Sequence, residues 1–339
     1  MMEQLFTNKS ILLIGGTGTI GRGLLFELMK YKPKVIRVFS RDEYKQFILS
    51  QELGEHENIR YLIGDVRDKE RLLRAMQGID IVFNLAAMKH VPASEYNPFE
   101  AVKTNVIGVQ NTIEAAIENK VEKVIYTSSD KAVSPTNTMG ATKLLAERLM
   151  SSANYSKGGK TPVFSSVRFG NVLGSRGSVV PLWRKQILMN REITVTDPDM
   201  TRFMMTVDQA VSLTLKACEK TVGGEIFVLK MPIIKLGDLA DVVGEIVCKE
   251  LGITRNDIRI KYTGLRPGEK MYEELMTEDE SLNAIEYEDM FAVLPNYITE
   301  DMDFQNTKRA KIGQYGSHMG SPLSKDKIKK ILKEIMMHC

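Results

Sequence analysis

Ser10-Ile-Leu-Leu-Ile-Gly15-Gly-Thr-Gly18-Thr-Ile-Gly21-Arg-Gly-Leu24-Leu25-Phe-Glu-Leu28 is the stretch from which the fold is read. Its first five residues form an unbroken apolar run, the pattern of a strand buried on both faces of a parallel sheet. Gly15, Gly18 and Gly21 follow with GxxGxxG spacing, and Leu24, Leu25 and Leu28 then form a stripe of helical period. Strand, glycine turn and helix in this order match a dinucleotide-binding fingerprint. The glycines permit the tight turn, close backbone approach to a pyrophosphate and close helix packing. Thr17, Thr19 and Ile20 join them as candidates for cofactor contact. A glycine triplet alone also serves as an ordinary βα turn; the flanking strand and helix decide for a nucleotide site.

Further apolar runs alternate with helical patterns. Val35 to Phe39 reads as a second strand, ending at Ser40-Arg41-Asp42. An Arg at this place suits the 2′-phosphate of NADP, with NAD as the alternative. Ile59 to Ile63 is a third strand, followed by Asp65 and Val66, where a carboxylate can receive an adenine amine. Ile79 to Phe83 is a fourth, followed by Asn84, Leu85, Ala86 and Ala87, small enough to let a cofactor lie against the backbone. Val121 to Thr127 is a fifth. Lys69 to Met76 and Phe99 to Glu118 read as intervening helices. The expected fold class is α/β: a Rossmann-type doubly wound parallel sheet with a smaller C-terminal lobe, binding ligands beyond the carboxyl ends of the strands.

At 339 residues and 43% apolar composition the chain has a sizeable core to build. Its 46 basic and 43 acidic residues nearly cancel, leaving +3, and give no reason to expect nucleic acid. Cys218, Cys248 and Cys339 form neither a disulfide framework nor a zinc motif. His56, His90, His318 and His338 are too scattered for a metal site. The first apolar run is short and runs straight into glycines. No signal peptide or membrane span is expected, and the expected location is the cytoplasm.

The densest chemistry lies in Tyr126-Thr-Ser-Ser129-Asp130-Lys131-Ala-Val-Ser-Pro-Thr-Asn-Thr-Met139-Gly-Ala-Thr-Lys143. It begins at the end of the fifth strand and enters a helix carrying Met139 and Lys143 one turn apart. Gly15, Gly18, Gly21, Asp65, Asn84-Leu-Ala-Ala87, Asn105, Ser128-Ser129 and Lys143 together resemble an extended short-chain dehydrogenase/reductase. Ala87-Met-Lys89-His90-Val-Pro92, Ser129-Asp-Lys-Ala132, Pro198-Asp-Met-Thr-Arg202-Phe203 and Leu265-Arg-Pro-Gly-Glu269-Lys270 narrow the resemblance to the UDP-N-acetylglucosamine 4,6-dehydratases of bacterial surface-glycan biosynthesis. The match runs from the first strand to about Leu275.

The resemblance implies a reaction in three steps. The C4 hydroxyl of UDP-GlcNAc is oxidised by a tightly bound, recycled NADP, water leaves across C5 and C6, and the hydride returns to C6. One C4 base, one C5 base and one C6 acid are needed. Asp130 is implied as the acid, with its pKa raised by burial, and Lys131 as the C5 base, with its pKa lowered by desolvation or neighbouring cations. Lys143 would hold the nicotinamide ribose, Ser129 would bond near the C4 oxygen, and Asn105 would face the cofactor. Met139 departs from the family, since short-chain dehydrogenases usually carry Tyr four residues before this Lys. A thioether carries no titratable proton, so Asp130, Lys131 or a water relayed from Ser129 must take the C4 proton. Met here resembles the configuration-retaining branch; inversion at C5, a UDP-sugar 4-epimerase and a non-catalytic nucleotide-sugar binder are the competing readings.

Val163 to Phe169 reads as a sixth strand leading to Asn171, which by resemblance reaches the substrate diphosphate. Gly174-Ser-Arg-Gly-Ser178 is a donor-rich loop before a helix from Val179 to Met189. Ile193-Thr194-Val-Thr196 is a short strand suited to lie along uracil. Arg202, Arg266 and Glu269 are expected around the diphosphate and sugar, and Lys89 and His90 beside the crevice. No metal is expected. Asp208 to Cys218, Leu236 to Glu250 and Lys325 to Met336 read as packing helices, and 300–321 as a loop. The domains are expected at 1–172 and 173–339, with parts of 200–230 returning to the first. A homo-oligomer, dimer or hexamer, is expected through the helices after the fourth and fifth strands.

Overall fold

Each apolar run of the first half becomes a strand of one sheet. In the computed structural model, which describes residues 2–159, 161–296 and 307–336, these are β1 (Ser10–Ile14), β2 (Val35–Ser40), β3 (Ile59–Ile63), β4 (Ile81–Asn84), β5 (Lys123–Thr127) and β6 (Val163–Arg168). All six run parallel, in the order β6-β5-β4-β1-β2-β3. Every residue of β1 is buried, as its unbroken apolar run requires. The strand order reverses between β1 and β4, and the crevice beyond their carboxyl ends is where such sheets bind ligands.

Beyond β6 come β7 (Asn171–Val172), β8 (Glu192–Val195) and β9 (Thr201–Met205), none of them in the large sheet. The chain then returns with β10 (Ile226–Leu229), parallel to β6. After β11 (Ile233–Lys235), β12 (Arg259–Tyr262) and β13 (Glu274–Met276) it returns again as the hairpin β14 (Ala284–Glu286) and β15 (Met290–Val293), which closes the sheet at nine strands. The sequence reading anticipates a return at 200–230 but not this antiparallel edge. β16 (Tyr315–Gly316) pairs with β13.

A separate apolar cluster builds the second lobe around Trp183, Ile193, Leu239, Val243, Ile328 and Leu332. Its helices Val179–Asn190, Leu236–Leu251 and Lys325–Met336 fall where the sequence pattern puts them. His338, Cys339 and part of the expected 300–321 loop lie outside the described residues. Among the described residues no helix is long and apolar enough to cross a membrane.

One expected element is divided. The helix read over Phe99 to Glu118 is α-helical at Pro98–Val102, π-helical at Lys103–Ile107 and α-helical again at Gly108–Glu118. The π turn carries Asn105, which accepts from the Met88 amide (2.8 Å) and donates to the Met88 carbonyl (3.0 Å) and the Thr142 hydroxyl (2.9 Å). The extra residue per turn coincides with that inward reach.

Candidate active site

The glycine turn is shaped by what surrounds it. Gly15 has φ +80°, and a Cβ there would lie 2.9 Å from the Ala86 nitrogen; one at Gly21 would lie 2.6 Å from the Gly16 Cα. Only glycine satisfies both positions. The turn therefore lies directly against the loop after β4, with Thr17 buried beneath it and Ala86 and Ala87 half-buried beside it. Gly18 is exposed, Thr19 and Ile20 half-buried, and among the described residues no side chain caps the helix Thr19–Met29. Its first amides are free to meet an anion.

At the end of β2, Ser40 is buried and accepts from Gln46 (3.0 Å). Asp42 caps the next helix by accepting from the Lys45 amide (3.0 Å), while Arg41 is exposed and lies 3.7 Å from Asp65. Two expected cofactor groups are otherwise occupied. Asp65 accepts from the Arg67 guanidinium through both oxygens (2.7 to 3.1 Å); burial alone would raise its carboxyl, but these bonds prevail and hold it below the ordinary range. Val66 turns its side chain into the core. Asn105, also expected at the cofactor, is fully buried with its amide committed to Met88 and Thr142, so it braces the loop after β4 against the site helix.

The turn after β5 is built as a capped single turn. Ser129 Oγ accepts from the Lys131 amide (3.3 Å) and donates to Asp130 Oδ1 (2.6 Å). Lys131 Nζ donates to the same oxygen (3.1 Å). Asp130 is only 1% exposed, and its Oδ2 has no partner among the described residues. Asn137 then caps the helix Thr138–Ser156 by accepting from the Gly140 amide (2.9 Å). A Cβ on Gly140 would lie 2.2 Å from the Lys131 carbonyl oxygen, so this glycine lets the helix seat against the Asp130-Lys131 turn. Met139 is buried. Lys143 is buried too, donating to the Thr127 carbonyl (2.9 Å) and lying 4.6 Å from the Tyr126 ring centre. Burial, opposed in part by Glu147, brings its amine down to about 7.

Lys131 departs from the expectation of a lowered pKa. Burial does pull it down, but Asp130 and Glu273 flank the ammonium and together raise it above the ordinary value. Two carboxylates around one amine outweigh its desolvation.

A cavity of about 770 Å³ opens over this turn, lined by Lys131, His90, Asn171, Ser178, Arg266 and Glu273 among others. Lys89, Val179 and Glu269 line it too. Asn171 Oδ1 and Ser178 Oγ are buried without partners among the described residues. Ser178 stands at the N-cap of the helix Val179–Asn190 without capping it, so free amides, a free hydroxyl and a free carbonyl meet at one wall. The Leu265–Lys270 motif is latched over the opposite side: Lys270 donates to the Val133 (3.2 Å) and Ser134 (2.7 Å) carbonyls, and Thr136 to that of Gly268 (2.9 Å).

Three expected substrate residues are placed differently. Thr194 exchanges bonds with Gln186, and Trp183 donates to its carbonyl (2.6 Å); Thr196 donates to the Met200 sulfur (3.0 Å). Neither lines the cavity. Arg202 does line it, but its guanidinium donates to the Thr201, Lys270 and Met271 carbonyls (2.8, 2.8 and 3.1 Å), which spends the fork on the protein itself. Among the described residues no group of His, Cys, Asp and Glu is arranged to hold a metal.

Two residues escape the sequence reading. Arg176 of the 174–178 loop lies across the glycine turn, donating through its amide to Thr19 Oγ1 (3.4 Å) and through its guanidinium to the Thr17 carbonyl (3.2 Å). Lys89 in turn donates to the Arg176 carbonyl (2.9 Å). Glu273 comes to the cavity from just beyond the Leu265–Lys270 motif, and nothing in its local sequence distinguishes it from its surface-type neighbours.

A nine-stranded sheet with a glycine turn at its switch point and a Ser-Asp-Lys turn facing a second lobe defines an extended short-chain dehydrogenase/reductase. The chain belongs to the polysaccharide biosynthesis protein family, whose model matches residues 11–295, within the nucleotide-sugar dehydratases and epimerases. It is 54% identical to Pen from Bacillus thuringiensis, whose X-ray structure superimposes with a TM-score of 0.92 over 98% of both chains. A Campylobacter jejuni protein named UDP-N-acetylglucosamine 4,6-dehydratase (inverting) is 42% identical, over 91% of this chain and 90% of its own. A Rickettsia bellii protein named UDP-glucose 4-epimerase is 39% identical, over 97% of this chain and 96% of its own.

Proposed function

We propose that this protein is a UDP-N-acetylglucosamine 4,6-dehydratase working with a recycled nicotinamide cofactor. The observation that carries the reading is the Asp130–Lys131 pair, one side chain buried and the other facing the cavity, 3.1 Å apart. A bound nicotinamide would take a hydride from the sugar and give it back. The glycine cradle fits its pyrophosphate, Arg41 would favour the 2′-phosphate of NADP over NAD, and Lys143 would hold the ribose.

One proton is shared between Lys131 and Asp130. Its transfer to Asp130 makes a carboxylic acid and a neutral amine at once, the two forms that elimination needs. Lys131 then takes the C5 proton while Asp130 protonates the departing C6 hydroxyl, which leaves as water. The C4 hydroxyl proton would leave through a water relayed by Ser129, and C5 would take one proton back from solvent once C6 is reduced; return of the remaining proton from Lys131 to Asp130 then resets the pair. Ser129 donates to the oxygen that both share, and so orients Asp130. Met139 fills the volume of the absent phenol and moves no proton.

At C5 we favour inversion. The Campylobacter relative is named inverting, and a thioether that only occupies space does not choose the face that is reprotonated. The Rickettsia relative's name favours a 4-epimerase, but epimerisation calls for no C5 base or C6 acid and leaves the pair without work.

Incubation of the purified protein with UDP-GlcNAc and NADP⁺ decides between them by mass. Dehydration is expected, with one deuteron entering C5 in D₂O and its configuration read by NMR. A product of unchanged mass, or no product, sinks the dehydratase reading. Lys131→Ala is expected to abolish the C5 exchange.

A further inference from the structure

Glu273 is 4% exposed, yet it lines the cavity and carries a carboxylate that no hydrogen donor among the described residues approaches within bonding distance. Its Oε1 lies 3.6 Å from Lys131 Nζ and 3.7 Å from Arg202 Nε. The backbone around it is fixed: its amide donates to Ser317 Oγ (3.0 Å) and its carbonyl accepts from the Ser317 amide (2.8 Å). The backbone that carries the carboxylate is thus fixed, and the carboxylate stands at a distance that attracts without locking the amine.

We propose that Glu273 is a positioning residue for Lys131, holding the amine between two carboxylates at the cavity wall and governing when it releases its proton. The proposal rests on the dehydratase reading for its purpose, not for its test. The groups facing the pair are Asp130 from its own turn, Arg202 from β9, and Lys270 and Glu269 from the latched motif. The two terminal nitrogens of Arg202 are bonded to backbone carbonyls, which leaves its Nε beside Glu273, and Lys270 is held by the carbonyls of Val133 and Ser134. Burial pushes the Glu273 carboxyl up, with Lys131 and Arg202 opposing.

The sign follows directly. An anion beside an amine favours the ammonium, so neutralising Glu273 lets Lys131 lose its proton at lower pH. The test is competitive labelling of the purified full chain with trace acetic anhydride across pH, with the Lys131 peptide quantified by mass spectrometry. Glu273→Gln is expected to lower the Lys131 midpoint by about one pH unit, a roughly tenfold gain in free amine at a given pH. The rising limb of the pH–rate profile is expected to move with it. Should the Gln variant fail to fold, Glu273→Asp withdraws the carboxylate by one methylene and is expected to move the midpoint the same way by less. An unmoved midpoint overturns the proposal, even if activity falls or KM rises. If the wild-type protein removes no water from UDP-GlcNAc, the functional reading fails while the midpoint still decides the role of Glu273.

Discussion

Lys143 shows how far a residue's neighbours change its chemistry. From sequence it is a helical lysine; in the structure its amine is buried, bonded to one carbonyl and brought down to about 7. A lysine whose folded pKa is depressed costs the native state wherever the unfolded chain binds its proton, and most where the folded chain must bind it too. Above the ordinary lysine pKa both states are neutral and the penalty vanishes; as pH falls from there toward 7 it grows, and below 7 it is complete. The cofactor-free protein is therefore expected to gain melting temperature between about pH 7 and 10 relative to Lys143→Met, whose curve lacks this increment. Parallel curves for the two proteins would contradict the buried amine. Met139 is the opposite case, a residue whose meaning is legible from its chemistry alone, because no environment gives a thioether a proton to donate.

The site helix Thr138–Ser156 illustrates the next scale. Its start was legible: Asn137 is a good cap, and the Pro and Asn residues before it end the preceding loop. The role of Gly140 was not. In an exposed helix Gly→Ala stabilises by about 1 kcal/mol, but here the new methyl would meet the Lys131 carbonyl oxygen at 2.2 Å. Gly140→Ala is expected to reverse the usual sign, costing roughly 1–3 kcal/mol in urea unfolding and displacing the Asp130-Lys131 turn, with kcat down at least about tenfold. A variant as stable and active as the parent would remove the close approach from the account. The divided helix at Lys103–Ile107 was illegible for a related reason. Its residues read as continuous helix, and only the distant Met88 and Thr142 favour the wider turn.

Across the whole molecule, a buried ion triad ties the sheet to the site helix and to the late segment that returns to the sheet edge. Arg168 at the end of β6 is fully buried, donating to Glu147 on the site helix (2.6 and 3.0 Å), to the Leu275 carbonyl within β13 (2.9 Å) and to Glu280 just beyond it (2.9 Å). Removing one member of such a group strands buried charge. Arg168→Met is expected to cost about 3–5 kcal/mol in urea unfolding, far more than the 0–1 kcal/mol of the exposed pairs elsewhere. A loss below about 1 kcal/mol would mean that these segments hold together without it.

The α/β class, the six parallel strands, the glycine cradle and the Ser-Asp-Lys turn were determined by sequence, because strand burial, tight turns and capping depend on residues close together in the chain. So was membership of the extended short-chain dehydrogenase/reductases, through short motifs in a fixed order. Tertiary structure alone decided that Asp65, Asn105 and Arg202 are spent on Arg67, Met88, Thr142 and backbone carbonyls, and that Thr194 and Thr196 pack against Gln186 and Met200. It alone brought Glu273 within 3.6 Å of Lys131, and so raised an amine that was expected to be lowered. A pKa and a free hydrogen-bonding group are set by distance and burial among residues far apart in sequence, and neither leaves a local mark.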